Sequence, residues 1–112
     1  MITFDEFKKV EIKIGQILSA EKVPESDKLL KLMVDFGEAG PRQIVSGIVP
    51  YFPDTEVLIG KKCAFAANLE PRVIRGLTSN GMILAVSGEN DGKTFFSLLE
   101  TSPDVVPGSS VI

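Results

Sequence analysis

EIKIGQILSAEKV, residues 11–23, alternates Ile12 and Ile14 with polar neighbours, the period of a half-buried strand, and carries Gly15 where such a strand bends or bulges. A bent strand suits a small closed sheet. Downstream, PESDK (24–28) is turn chemistry, and LLKLMVDF (29–36) sets Leu30, Leu32, Val34 and Phe36 on one face of a second strand. GEAGP (37–41) turns the chain into a third strand, RQIVSGIV (42–49). The two prolines of PYFPDTEVLIG (50–60) predict a crossover with a short helical or 3₁₀ piece. KKCAFAAN (61–68) and GMILAVSG (81–88) are apolar strands rich in small residues, and they flank a loop. KTFFSLLE (93–100) follows the ENDG turn, and the tail SPDVVPGSSVI (102–112) reads as extended.

Upstream, Thr3 stands as an N-cap with Glu6 three residues on, and Phe4, Phe7 and Val10 recur at helical spacing, which predicts an amphipathic helix of about two turns. Together these elements predict an all-β protein: a five-stranded OB-fold barrel with a short N-terminal helix and a C-terminal extension, filling residues 1–112 as one domain. An SH3-like barrel is the structural rival.

The composition, 44% apolar and 24% charged, is that of a soluble globule, and no apolar run approaches the roughly 20 residues a membrane span requires. MITFDEFKKV lacks the apolar stretch of a secretory signal, so a cytoplasmic setting is expected, with no membrane partner. Cys63 is the only cysteine and histidine is absent, which removes disulfide frameworks, zinc sites and histidine-assisted nucleophiles. Glu21, Glu25 and Asp27 sit among lysines in polar sequence and read as solvated charge rather than as an acid–base pair. An enzyme is disfavoured.

The charge is unevenly spread. From Val57 to Gly88, Lys61, Lys62, Arg72 and Arg75 face only Glu70, a local +3 in a chain whose net charge is −3. A basic focus on an acidic protein favours a polyanion while the remaining surface repels non-specific contact. In NLEPRVIRGLTSNGMILA (68–85), Arg72 and Arg75 are spaced to grip phosphates bidentately, Gly76 and Gly81 admit a close backbone, and Asn68, Thr78, Ser79 and Asn80 offer neutral polar contacts. The only aromatic in 57–88 is Phe65, within a strand, and the adjacent Phe95 and Phe96 point to opposite faces. With no stacking platform in this segment, a structured RNA read by shape fits better than an unstructured strand.

FDEFKKVEIKIGQI, PESDKLLKL, RQIVSGI and NLEPRVIRGLTSNGMILA, in that order, resemble the tRNA-binding OB-fold family. That family occurs at the C-terminus of many methionyl-tRNA synthetases, in stand-alone dimeric tRNA-binding proteins and in a bacterial secretion chaperone. The resemblance implies binding to the outer corner of tRNA without catalysis or cofactor. Carried over by motif, the implied contacts are Lys28, Asn68, Arg72, Arg75, Ser79, Met82 and Ser87. Met82 also reads as core and Lys28 as a loop charge. The chain is then the C-terminal domain or a separate subunit of a methionyl-tRNA synthetase, whose catalytic chain is its partner, or a stand-alone protein, the form Met1 favours. A polypeptide-binding secretion chaperone is the alternative. A homodimer is expected, because Phe4 and Phe7 on a short helix, and Val105, Val106, Val111 and Ile112 in the tail, have no place inside a five-stranded barrel.

Overall fold

The computed structural model describes residues 1–112. In chain order the elements are α1 (Phe4–Phe7), β1 (Ile12–Lys22), β2 (Leu30–Asp35), β3 (Arg42–Ser46), 3₁₀ turns at Val49–Tyr51 and Thr55–Leu58, β4 (Lys62–Ala66), β5 (Arg72–Ile74), β6 (Leu77–Ser79), β7 (Met82–Ile83), β8 (Ala85–Asn90) and β9 (Lys93–Leu98).

β1 is long enough to serve two partners. Its first part, Ile12–Gln16, pairs antiparallel with β4, and Gln16–Lys22 pairs antiparallel with β2. Between them the register steps from Ile17↔Val34 to Ser19↔Met33, leaving Leu18 as an unpaired bulge residue that is 47% exposed. The bulge bends the strand and increases its twist. The bend therefore falls at Leu18 and not at Gly15, which stays paired with Cys63. A Cβ at Gly15 would lie 2.5 Å from Val34 Cγ1 and 2.8 Å from Phe36 Cε1, so this glycine makes room for the core.

The main sheet runs β3-β2-β1-β4-β7 and curls until its edges meet. The Asn80 N–H donates to the Gln43 carbonyl at 2.9 Å, Gln43 Nε2 to the Thr78 carbonyl at 2.9 Å, and the Val45 N–H to Ser79 Oγ at 3.0 Å. This closes an all-β, OB-like barrel. Its interior holds Ile17, Leu30, Leu32, Val34, Phe36, Ile44, Leu58, Phe65 and Ile83, with Phe36 edge-on to Phe65 at 5.2 Å. β2 shows the expected alternation, Leu30, Leu32 and Val34 inward.

Outside the barrel, α1 has its capping box, with the Glu6 N–H donating to Thr3 Oγ1 at 3.1 Å and the Thr3 N–H to Glu6 Oε1 at 3.2 Å. It is one turn long rather than two, because from Lys9 onward the bonds reach back only three residues, to Glu6 and Phe7. No residue of α1 is buried. GMILAVSG is not one strand: after Leu84, whose N–H still donates to the Ala64 carbonyl at 3.0 Å, the chain leaves β4, and β8 pairs with β9 in a hairpin whose β8 residues are all exposed. The tail lies beside the first part of β1, beyond the end of β2. There the Ile14 N–H donates to the Ser109 carbonyl at 2.8 Å and the Val111 N–H to the Ile12 carbonyl at 2.8 Å.

Candidate nucleic-acid interface

Residues 72–79, read above as loop, form a hairpin with Arg72 opposite Ser79, Val73 opposite Thr78 and Ile74 opposite Leu77. Only Arg75 and Gly76 are left for the turn, and both have positive φ, 51° and 78°. That is the type I′ pattern, whose twist matches the strands it joins. Glycine accepts such a φ freely, whereas an arginine there carries a cost of about 1–2 kcal/mol. Asn or Asp is the common choice at this position, so a long cation at the tip is a costly local feature.

Neither the Arg72 nor the Arg75 side chain makes a hydrogen bond or ion pair within the chain, and both residues are exposed. Arg75 and Ile74 share a shallow cleft with Ser26, Asp27 and Lys28 of the β1–β2 loop. Arg72 and Ile74 line a small recess with Leu69, Glu70, Val45, Ser79 and Met82. Met82 is 48% exposed, so it is not core; as the first residue of the two-residue β7 it turns its side chain outward while Ile83 turns in. Lys28, Arg72, Arg75 and Met82 therefore surround one hairpin.

Two other implied contacts, buried Ser79 and exposed Asn68, have side chains that hydrogen-bond within the chain. Ser79 is 4% exposed; its hydroxyl accepts the Val45 N–H and donates to the Gly81 carbonyl at 3.1 Å, which closes the barrel. Asn68 ties the helix-to-β1 linker to the end of β4, accepting the Glu11 N–H at 2.8 Å and donating to the Lys9 carbonyl at 2.6 Å. Ser87 lies on the projecting hairpin opposite Phe96, in neither cleft.

The linear charge focus divides in space. Lys61 and Lys62 stand at the start of β4, and the hairpin leaves its other end, roughly 13 Å away along the strand. Lys61 Nζ pairs with Glu100 at 3.1 Å and Lys62 Nζ donates to the Pro103 carbonyl at 2.7 Å. Lys22 and Lys31 come nearer instead, lining a third cleft with Leu77 of β6, and Lys31 is paired with Glu21 at 3.5 Å. No local pattern marks these two lysines; only the β1–β2 register beside the hairpin brings them there. Around the hairpin, Lys22, Lys28, Lys31, Arg72 and Arg75 face Glu21, Asp27 and Glu70, a local +2.

Arg42, also unmarked in sequence, buttresses this face. Its guanidinium donates to both Glu38 oxygens at 2.8 and 2.7 Å and to the Ala67 and Asn80 carbonyls, and it lies 4.9 Å from the Phe36 ring centre. The hydrogen bonds from Arg42 hold the Glu38 carboxyl below its ordinary value of 4.5. Cys63 is wholly buried, and desolvation pushes its thiol up to about 11, so it is a neutral core side chain at pH 7. No three His, Cys, Asp or Glu side chains gather as a metal site would need, and no helix is long and apolar enough to cross a membrane.

A small β-barrel with an unpaired cationic hairpin at its closing edge presents a surface suited to an anionic ligand. The family described as "Putative tRNA binding domain" matches residues 12–110, and the chain belongs to that family. The methionine–tRNA ligases of Lactococcus lactis and Oceanobacillus iheyensis are 45% and 46% identical over 111 and 110 residues. Each match covers 98% of this chain but only 16% of the ligase, so the chain spans about a sixth of the relatives' length. Among solved structures, a methionyl-tRNA synthetase-related protein from Pyrococcus horikoshii superposes with a TM-score of 0.88 at 39% identity, covering 100% of this chain and 98% of that one. The chaperone CsaA from Bacillus anthracis gives 0.81 at 26%, covering 100% and 99%.

Proposed function

We propose that residues 1–112 act as one non-catalytic unit that holds folded tRNA against the β5–β6 hairpin, with Arg72, Arg75 and Lys28 on phosphates and Met82 against a sugar or base. The observation that carries this reading is the pair of uncommitted guanidiniums on one short hairpin, Arg72 in its first strand and Arg75 in its two-residue turn, in a chain where Lys13, Lys31, Lys61 and Arg42 are all ion-paired. A planar fork held out by rigid backbone grips phosphate bidentately with little ordering cost. In this reading Asn68 and Ser79 are scaffold, and Ser87 is peripheral.

The likeness to methionine–tRNA ligases, at 45–46% identity, supports work beside a methionyl-tRNA synthetase, in the cytoplasm, as an attached domain or a separate partner. Tethering raises local tRNA concentration and improves apparent KM without touching the chemistry. The chaperone reading rests on lower identity, 26%, and the hairpin offers charge rather than an apolar groove. A gel-shift competition tests the function: folded tRNAs of unrelated sequence are expected to compete alike, and denatured tRNA or a poly-pyrimidine strand far less. Equal competition by the single strand would contradict shape reading.

The homodimer belongs to the same proposal. Phe4, Phe7, Val10, Ile12, Val111 and Ile112 line an apolar cleft of about 330 Å³ where α1 meets the tail, and a second copy would cover it. Light scattering is expected to give twice 12.1 kDa. A persistent monomer at high concentration would refute it.

A further inference from the structure

We propose that Tyr51 is a stacking platform for one unpaired nucleobase of the bound RNA, an inference that rests on the tRNA-binding reading above. Tyr51 lies in the crossover, outside the segment whose lack of aromatics argued against stacking, and the fold carries it close to Lys28. The Val49 N–H donates to the Lys28 carbonyl at 3.0 Å, and Tyr51 follows two residues later in the same 3₁₀ turn. The two Cα atoms of Lys28 and Tyr51 are therefore within about 12 Å. A phosphate held by Lys28 and a base over Tyr51 are then within reach of neighbouring nucleotides.

The ring is built to receive a flat partner. Phe96 stacks on one face at 4.0 Å with planes 6° apart, and Phe52 meets Phe96 edge-on at 5.8 Å, so the ring is braced from behind. With one face covered, Tyr51 is still 51% exposed, which leaves its other face to solvent. Its hydroxyl makes no hydrogen bond within the chain. Phe96 is also the cross-strand partner of Ser87, so the platform extends the cationic face toward the β8–β9 hairpin. An exposed aromatic fixed near the unpaired Lys28 matches the combination of stacking and phosphate contact by which unpaired nucleotides are held.

The test uses the chain's own reporter, because Tyr51 is its only tyrosine and there is no tryptophan. Titrating the intact protein with folded tRNA, corrected for RNA absorbance with free nucleotides, is expected to quench tyrosine emission in step with binding followed by gel shift. Tyr51→Leu keeps an apolar contact to Phe96 but offers no ring; it is expected to bind roughly 5- to 100-fold more weakly with an unchanged salt slope. Tyr51→Phe retains wild-type affinity. Emission that stays constant at saturating tRNA, or Tyr51→Leu binding as wild type, overturns the platform while leaving the tRNA reading intact. Failure of the wild type to bind any tRNA overturns both.

Discussion

The double variant Arg72→Ala/Arg75→Ala is expected to lose tRNA affinity by roughly thirtyfold or more, since each bidentate phosphate contact is worth about 1–3 kcal/mol. The dependence of binding on salt should flatten by roughly one for each phosphate that is no longer neutralised. Folding is expected to be unaffected, because neither guanidinium bonds to the protein and alanine at the tip carries the same left-handed cost as arginine. Arg75→Lys restores the charge but only part of the affinity, because an ammonium cannot make two parallel hydrogen bonds to one phosphate. Lys61→Ala is the matched control: it removes a charge from the same stretch of sequence but from the opposite end of β4, and little change is expected. Titration of labelled tRNA at several salt concentrations decides the matter, and wild-type affinity and slope in the double variant would make the hairpin an ordinary solvated turn.

Arg42→Ala is expected to destabilise the fold by about 2–4 kcal/mol in denaturant unfolding. One side chain here ties Glu38 to the carbonyls of Ala67 and Asn80, across the line where β3 meets the end of β4 and the approach to β7. Its loss also uncovers the Phe36 ring. Because Glu38 is held below 4.5 in the folded state, the ion-pair part of this contribution is complete at neutral pH and disappears as pH falls through the folded value. Wild type and Arg42→Ala should therefore converge somewhat in acid. A loss of stability under about 0.5 kcal/mol would mean that backbone pairing closes the barrel without it.

The barrel was legible because its strands announce themselves locally: period-two alternation in β2, turn residues on either side, and a proline-marked crossover in place of a strand. What stayed hidden depends on register. Nothing near Leu18 signals that the bulge falls there, and nothing near Gly15 says that its hydrogen faces Val34 and Phe36. The same holds at the interface. The arginines were visible as residue types, but a window along the chain grouped Lys61 and Lys62 with them although a full strand intervenes. It left out Lys22 and Lys31, which only cross-strand pairing brings close. Nothing in the sequence shows that Ser79 and Asn68 bond to the backbone of distant segments, because a short polar side chain that satisfies a backbone group is the same residue type as one that meets a ligand. The Tyr51–Phe96 stack was invisible in the sequence because the two rings are 45 residues apart and the exposure of each is a property of the pair.

The proposed function turns on a location: RNA sits on the β5–β6 hairpin and the β1–β2 loop. That location is read out residue by residue in the amide spectrum of ¹⁵N-labelled protein titrated with folded tRNA. Shifted and broadened amides are expected to cluster at Ser26–Lys28, Arg72–Gly76 and Met82. Changes centred instead on Lys61, Lys62 and Glu100, or on Phe4, Phe7 and Val111, with the hairpin amides unmoved, would contradict it.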